Sequence, residues 1–153
     1  VYKLAAIADD QGGFIPKIKL SENTEKVTNP GNKTFFRIYD KESGKIKADL
    51  ICLEDESFDT DQDMKLFDPN EPWKKTTLPG GSYTMKEMLV PVIHEGKRVY
   101  DTPPVMEIQK ICNQEKATLW EENKRFTNPS KIHVDLSQKL YDMKQSLLSE
   151  MSR

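Results

Sequence analysis

The fold is decided by the stretch KTFFRIYDKESGKIKADLICLED, Lys33 to Asp55. Two alternating arms flank Lys41-Glu42-Ser43-Gly44, a short polar loop ending in glycine, and this pattern predicts a β-hairpin. In the first arm Thr34, Phe36 and Ile38 share a face. In the second, Ile46, Ala48, Leu50 and Cys52 share one, with Lys45, Lys47 and Asp49 opposite. Side chains alternate across a strand, so this spacing predicts one-sided burial in an antiparallel sheet.

Immediately upstream, KLSENTEKVTNPGNK (Lys19–Lys33) reads as a helical turn that starts at Ser21 and is then stopped. The Ser21 hydroxyl can accept a bond from an orphan N–H of that turn. Pro30 restricts Asn29 to extended geometry, and Gly31 tolerates positive φ. Lys17, Lys19, Lys26 and Lys33 make a local basic patch that could hold a phosphate. A corner leading into the hairpin, with a solvated lysine face, is the simpler reading. Earlier still, Phe14–Leu20 alternates, with Ile18 and Leu20 opposite Lys17 and Lys19. Pro16 supplies no ladder N–H and so predicts a sheet edge or end. Val1–Ala8 is almost entirely apolar, which suggests a strand buried on both faces, broken by DDQGG.

Downstream, EDESFDTDQDMKLFDPNEPWKK (Glu54–Lys75) is acidic and weakly periodic, and predicts a long surface loop. Asp59–Asp63 puts carboxylates at alternating positions, as a calcium loop would. An EF-hand loop needs Gly at its sixth position and Glu at its twelfth, and here those are Met64 and Asn70. After Gly80-Gly81, residues Met88–Ile93 predict a strand turning at Glu95-Gly96 into Arg98–Asp101. Two helices follow. Thr102 is the expected cap of the first, with Pro103 or Pro104 in its first turn and an apolar stripe at Val105, Ile108, Ile111 or Cys112, Leu119 and Trp120. After TNPSK, Asp135 is the expected cap of the second, with Gln138 at the third position and a stripe at Leu136, Leu140, Met143, Leu147 and Met151.

The 153 residues suffice for one domain with a real core. A formal net charge of −2 creates no field to draw nucleic acid or an anionic membrane. No apolar run approaches the ~20 residues that span a bilayer. The start at Val1, without a basic and apolar leader, predicts a piece of a longer protein rather than a secreted one. Cys52 and Cys112 stand far apart, which suits two buried thiols in a reducing cytoplasm. No zinc site follows, because four ligands are needed and neither His94 nor His133 stands at a recognised spacing from the cysteines. His94 falls in a predicted turn and His133 in a short strand, both surface or packing positions. There is no G-x-x-x-x-G-K-[ST] and no G-x-G-x-x-G. The residues taken alone describe an α+β domain without a visible catalytic set.

The ordered series GFIPKIKLSENTEKVTNPGNKTFFRIYD (Gly13–Asp40) resembles the carboxy-terminal part of the nicotinate phosphoribosyltransferase family. The matching pieces are Val1–Leu4, Pro16–Glu22, Lys26–Gly31 and Lys33–Asp49, joined by LVPVIHEGKRVYDTPP (Leu89–Pro104) and TNPSKIHVDLSQKLYDMKQSLL (Thr127–Leu148). The resemblance implies an enzyme of NAD salvage. That family couples nicotinate and phosphoribosyl pyrophosphate to nicotinate mononucleotide, assisted by ATP and magnesium, on an irregular α/β barrel that is commonly dimeric. Its catalytic histidine and its substrate-binding arginine and threonine belong upstream of VYKL, so no residue here is assigned a catalytic, cofactor-binding or metal role.

The expectation is therefore an antiparallel β-rich α+β domain with hairpins and C-terminal helices. Residues 1–20 would be a residual barrel strand and linker, and 21–153 the C-terminal domain. Its partner would be the upstream catalytic barrel of the same polypeptide, in the cytoplasm, with no nucleic acid or membrane. The fragment alone would be inactive. Two rival readings are a non-enzymatic module binding a protein or ligand through the hairpin face, and a metal-binding domain built on Glu54–Asp63.

Overall fold

The computed structural model describes residues 2–22, 26–71 and 73–151. The hairpin forms as its alternation requires. Strands β3 (Lys33–Asp40) and β4 (Ile46–Leu53) pair antiparallel, with Thr34 opposite Cys52 and Phe36 opposite Leu50. Asp40 Oδ1 closes the loop by accepting bonds from the Ser43 backbone N–H and hydroxyl, both 2.8 Å. Those bonds, then Lys47, hold the Asp40 carboxyl well below the usual carboxylate range.

Around the hairpin stands a sheet of β5 (Met64–Phe67), β6 (Lys75–Leu78), β7 (Tyr83–Glu87) and β10 (Val134–Leu136), ordered β6-β5-β10-β4-β3-β7. The sheet is mixed rather than purely antiparallel. The chain returns late to insert β10 between β4 and β5, parallel to β4 and antiparallel to β5. One core holds Ile38, Ala48, Leu50, Cys52, Met64, Leu66, Leu78 and Tyr83, with Phe36 packed against it. The other holds Leu53, Phe67, Leu136 and Leu140 beneath helix α2 (Gln138–Met151). There Phe67 stacks on Tyr141 with centroids 4.7 Å apart. Burying each such aliphatic side chain stabilises the fold by about 2 kcal/mol.

Several expectations are corrected. The acidic stretch after β4 is not loop throughout, because Met64, Leu66 and Phe67 are core residues of β5. Four residues are too few to show a period amid so many carboxylates. The strand expected at Met88–Ile93 lies earlier, at Tyr83–Glu87, where it pairs with β3. Within the expected stretch Ile93–His94 (β8) pairs with Lys97–Arg98 (β9) across the expected turn, with φ 48° at Glu95 and 74° at Gly96.

Helix α1 spans Val105–Ala117, but Pro104 takes the cap position in place of Thr102, without a side-chain bond. None of its residues is buried, so the stripe, Cys112 included, does not pack into a core. Leu119 and Trp120 lie past its end, and Trp120 Nε1 donates to the Ile46 carbonyl at 2.7 Å. Asp135 does not cap α2. It is buried in β10, while the Ser137 hydroxyl accepts the Leu140 N–H at 3.2 Å. Gln138 is therefore the first helical residue rather than the third, and Met151 is exposed.

The N-terminal run is not a strand buried on both faces. Ala6–Ala8 (β1) pairs antiparallel with Phe14–Pro16 (β2), and Ile7 and Phe14 are exposed. Asp9 closes this hairpin by accepting the Gly13 N–H at 2.7 Å, so DDQGG is its turn. Pro16 ends β2, in keeping with its missing donor. The turn expected from Ser21 runs through residues 23–25, outside those described. Among the described residues no helix is long and apolar enough to cross a membrane.

Candidate functional site

The corner at Asn29-Pro30-Gly31 faces a cleft of about 310 Å³ between β2, the end of β4 and α2. Gly31 has φ +87°, and a Cβ there would stand 2.7 Å from Leu53 Cδ2. Only glycine meets both demands, since an L side chain resists that backbone and the space is already filled. The Gly31 N–H donates to the Ala5 carbonyl at 2.7 Å, tying the corner to the chain just before β1. Beneath it, the Lys144 ammonium donates to Asn29 Oδ1 at 3.0 Å and to the Pro69 carbonyl at 3.1 Å. Lys144 is only 4% exposed, and that burial pushes its pKa down.

The cleft's polar groups are already paired. Asn32 Nδ2 donates to Glu54, and Lys139 bridges Asp55 at 2.6 Å. Each ion steadies the other, lowering the Asp55 pKa and raising that of Lys139. None of Lys17, Lys19, Lys26 or Lys33 lines the cleft. Lys33 is partly buried and turns its ammonium to the Gly31 carbonyl at 2.6 Å, while Lys3 donates to the Lys26 carbonyl at 2.7 Å. Lys33 is thus spent on the corner itself, and the contacts of Gly31 and Lys144 build the region as a joint.

The other sequence candidates do not converge either. Asp59 Oδ1 accepts the Asp61 N–H and Asp63 Oδ1 the Gly80 N–H, so these carboxylates brace their own loop. Among the described residues no three His, Cys, Asp or Glu side chains come together to hold a metal ion. His94 and His133 are both exposed, and the His133 carbonyl accepts the Asp49 N–H at 2.8 Å. Burial pushes the Cys52 thiol up to about 12, which removes it as a nucleophile near neutral pH.

Sequence reading missed three connecting residues. Lys144 stands four residues after Leu140, on the apolar side of α2, and a lysine in that place was the available signal. Glu56 joins β4 to the start of α2, accepting the Leu53 N–H at 2.7 Å and the Ser137 hydroxyl at 2.6 Å. Arg37 forks onto buried Asp49 at 2.8 and 2.9 Å, which raises the guanidinium pKa. The Lys144 and Glu56–Ser137 contacts span long sequence separations that no local pattern announces, whereas Arg37 stands opposite Asp49 in the hairpin register and that signal was available.

Residues 32–144 match the family model described as nicotinate phosphoribosyltransferase C-terminal domain. A nicotinate phosphoribosyltransferase of Bacillus subtilis (strain 168) is 31% identical over 151 residues, covering 99% of this chain and 30% of that protein. Its namesake in Caenorhabditis elegans is 30% identical, covering 96% of this chain and 25% of that protein. The human protein of the same name is 26% identical over 99% of this chain and 27% of its own length. The crystal structure of human nicotinic acid phosphoribosyltransferase aligns with a TM-score of 0.69 at 21% identity, over 79% of this chain and 24% of that one, a likeness of fold. The chain thus spans less than a third of the length of these relatives.

Proposed function

Since the chain belongs to the nicotinate phosphoribosyltransferase C-terminal domain family, we propose that it is the C-terminal part of an enzyme joining nicotinate to phosphoribosyl pyrophosphate in NAD salvage. Residues 1–20 then serve as a residual barrel strand and linker, and 21–153 as a domain that braces an upstream catalytic barrel. The observation that carries this reading is the match over residues 32–144, which spans the hairpin, the rest of the sheet and the first half of α2. The assembled enzyme would work in the cytoplasm as a homodimer.

ATP and magnesium are expected to assist the whole enzyme. The described residues of this chain do not fit either group. They bring together no metal-holding cluster, and Lys33 turns its ammonium to the Gly31 carbonyl of the corner. No chemical step is therefore assigned to them. The rival reading, binding through the hairpin face, loses its surface, because Ile38, Ile46, Ala48, Leu50 and Cys52 are buried.

The test is synthesis of nicotinate mononucleotide by this chain and by the longer polypeptide that continues upstream. The longer protein should turn over, and the chain alone should not rise above background. Turnover by the chain alone would overturn the assignment of a bracing role.

A further inference from the structure

Helix α1 is held at one end and uncovered along its length. Glu115 meets Lys86 at 3.2 Å and Arg37 at 3.7 Å. Lys45 donates to the Ala117 carbonyl at 2.7 Å, where a cation suits the negative end of the helix. Every other α1 residue is exposed. A helix of 13 residues is marginal in water by itself and normally persists by packing an apolar face. Val105, Ile108 and Ile111 supply that face, spaced to lie on the side that carries Glu115. They remain 79%, 47% and 44% exposed. In the segment just before α1, Leu89, Val92 and Ile93 are exposed as well. Exposed large apolar side chains gathered on two consecutive segments of one chain are what an interaction site presents.

The geometry points to residues 88–117 as the arm by which this domain grips the upstream part of its own longer polypeptide, a deepening that rests on the function proposed above. Two observations favour this occupant over a second copy. Most of a relative's length lies outside the matched region, since the chain covers 30% of the Bacillus subtilis protein and 27% of the human one. The β1–β2 hairpin also shows uncovered Ile7, Phe14 and Ile15, so the domain lacks cover at its upstream end as well as on the arm. The ionic anchor at Glu115 sets the direction of α1, and the apolar stripe supplies the grip.

Hydrogen–deuterium exchange, compared between this chain and the longer polypeptide, tests the assignment. In the chain alone the α1 amides should exchange almost unprotected. In the longer polypeptide they should slow at least about tenfold, while β3 and β4 stay protected in both. Ile108→Glu combined with Ile111→Glu should abolish the slowing of α1 and leave β3 and β4 unchanged. Equal α1 exchange in the two proteins would overturn the proposal. So would slowing in the chain alone that rises with concentration alongside dimer formation, which would make a second copy the occupant. Nicotinate mononucleotide synthesis by the longer polypeptide is measured in parallel. Its absence with α1 still slowed would remove the enzyme reading and leave the grip standing.

Discussion

Replacing Gly31 with alanine tests whether the corner is held by geometry. Two costs add at this position. A side chain at φ +87° meets the backbone penalty of the left-handed region, about 1–2 kcal/mol. The new Cβ would stand 2.7 Å from Leu53 Cδ2 in a packed core, and overpacking costs a further 1–3 kcal/mol or so. Gly31→Ala should therefore destabilise the chain by about 2–5 kcal/mol. With a urea slope of about 2 kcal/mol per molar, the midpoint falls by roughly 1–2.5 M in a titration followed by far-UV circular dichroism. Gly44→Ala is the control, since φ there is +68° and nothing lies within 4 Å of its Cβ. It should show the backbone cost alone. Leu53→Ala on the Gly31→Ala background should cost at least about 1 kcal/mol less than on the parent, because the clash is then relieved. Equal midpoint shifts for the two glycine variants, or strict additivity with Leu53→Ala, would refute the reasoning.

Lys144→Ala removes a buried aliphatic stem and leaves Asn29 Oδ1 and the Pro69 carbonyl without their donor, so urea titration should show a loss of about 2–4 kcal/mol. Lys144→Met refills the space without the charge and should fall between that variant and the parent. Asp135 gives a pH test. Burial raises its folded pKa, so its protonated form suits the fold, and its contribution is favourable below the ordinary carboxylate pKa and lost as pH rises through the folded value. Asp135→Asn should raise the urea midpoint at pH 7, with the advantage fading as pH falls through the carboxylate range, and an advantage unchanged by pH would contradict a titrating origin.

The hairpin was legible because its information is local. Thr34, Ile38, Ala48, Leu50 and Cys52 each declare a face by parity, and one polar loop fixes their register. β5 was hidden for the converse reason: Met64-Lys65-Leu66-Phe67 is too short for a period, and its burial depends on a β10 that arrives some 70 residues later. The start of α2 was misplaced because Asp135 and Ser137 are both good caps. The parallel pairing of Val134–Leu136 with β4 takes Asp135 into the sheet and leaves Ser137 to cap. Helix α1 showed the reverse case. Its periodicity placed Val105, Ile108 and Ile111 on one helix but also took in Leu119 and Trp120 past its end, and periodicity cannot say which partner covers a face; among the described residues none buries this one. The joint was legible only as a corner, since its partners Lys144, Pro69 and Leu53 lie far along the sequence.

The same physics explains why Asn29-Pro30-Gly31 reads so plainly in the sequence. Pro30 is fully buried, Gly31 must combine positive φ with close contact to Leu53, and Asn29 satisfies a buried ammonium from α2. Each residue of that triplet answers to a different constraint, and no other residue type meets the three together as well. The lysines around it answer to weaker demands, because a carbonyl or solvent accepts an ammonium from many positions. A motif in this domain thus records where three segments must meet: the upstream strand through Ala5, the sheet through Leu53, and the last helix through Lys144. If bracing is the domain's work, variants of the joint should change the stability and seating of the longer enzyme before they change its chemical step, which is the opposite of what a catalytic corner would show.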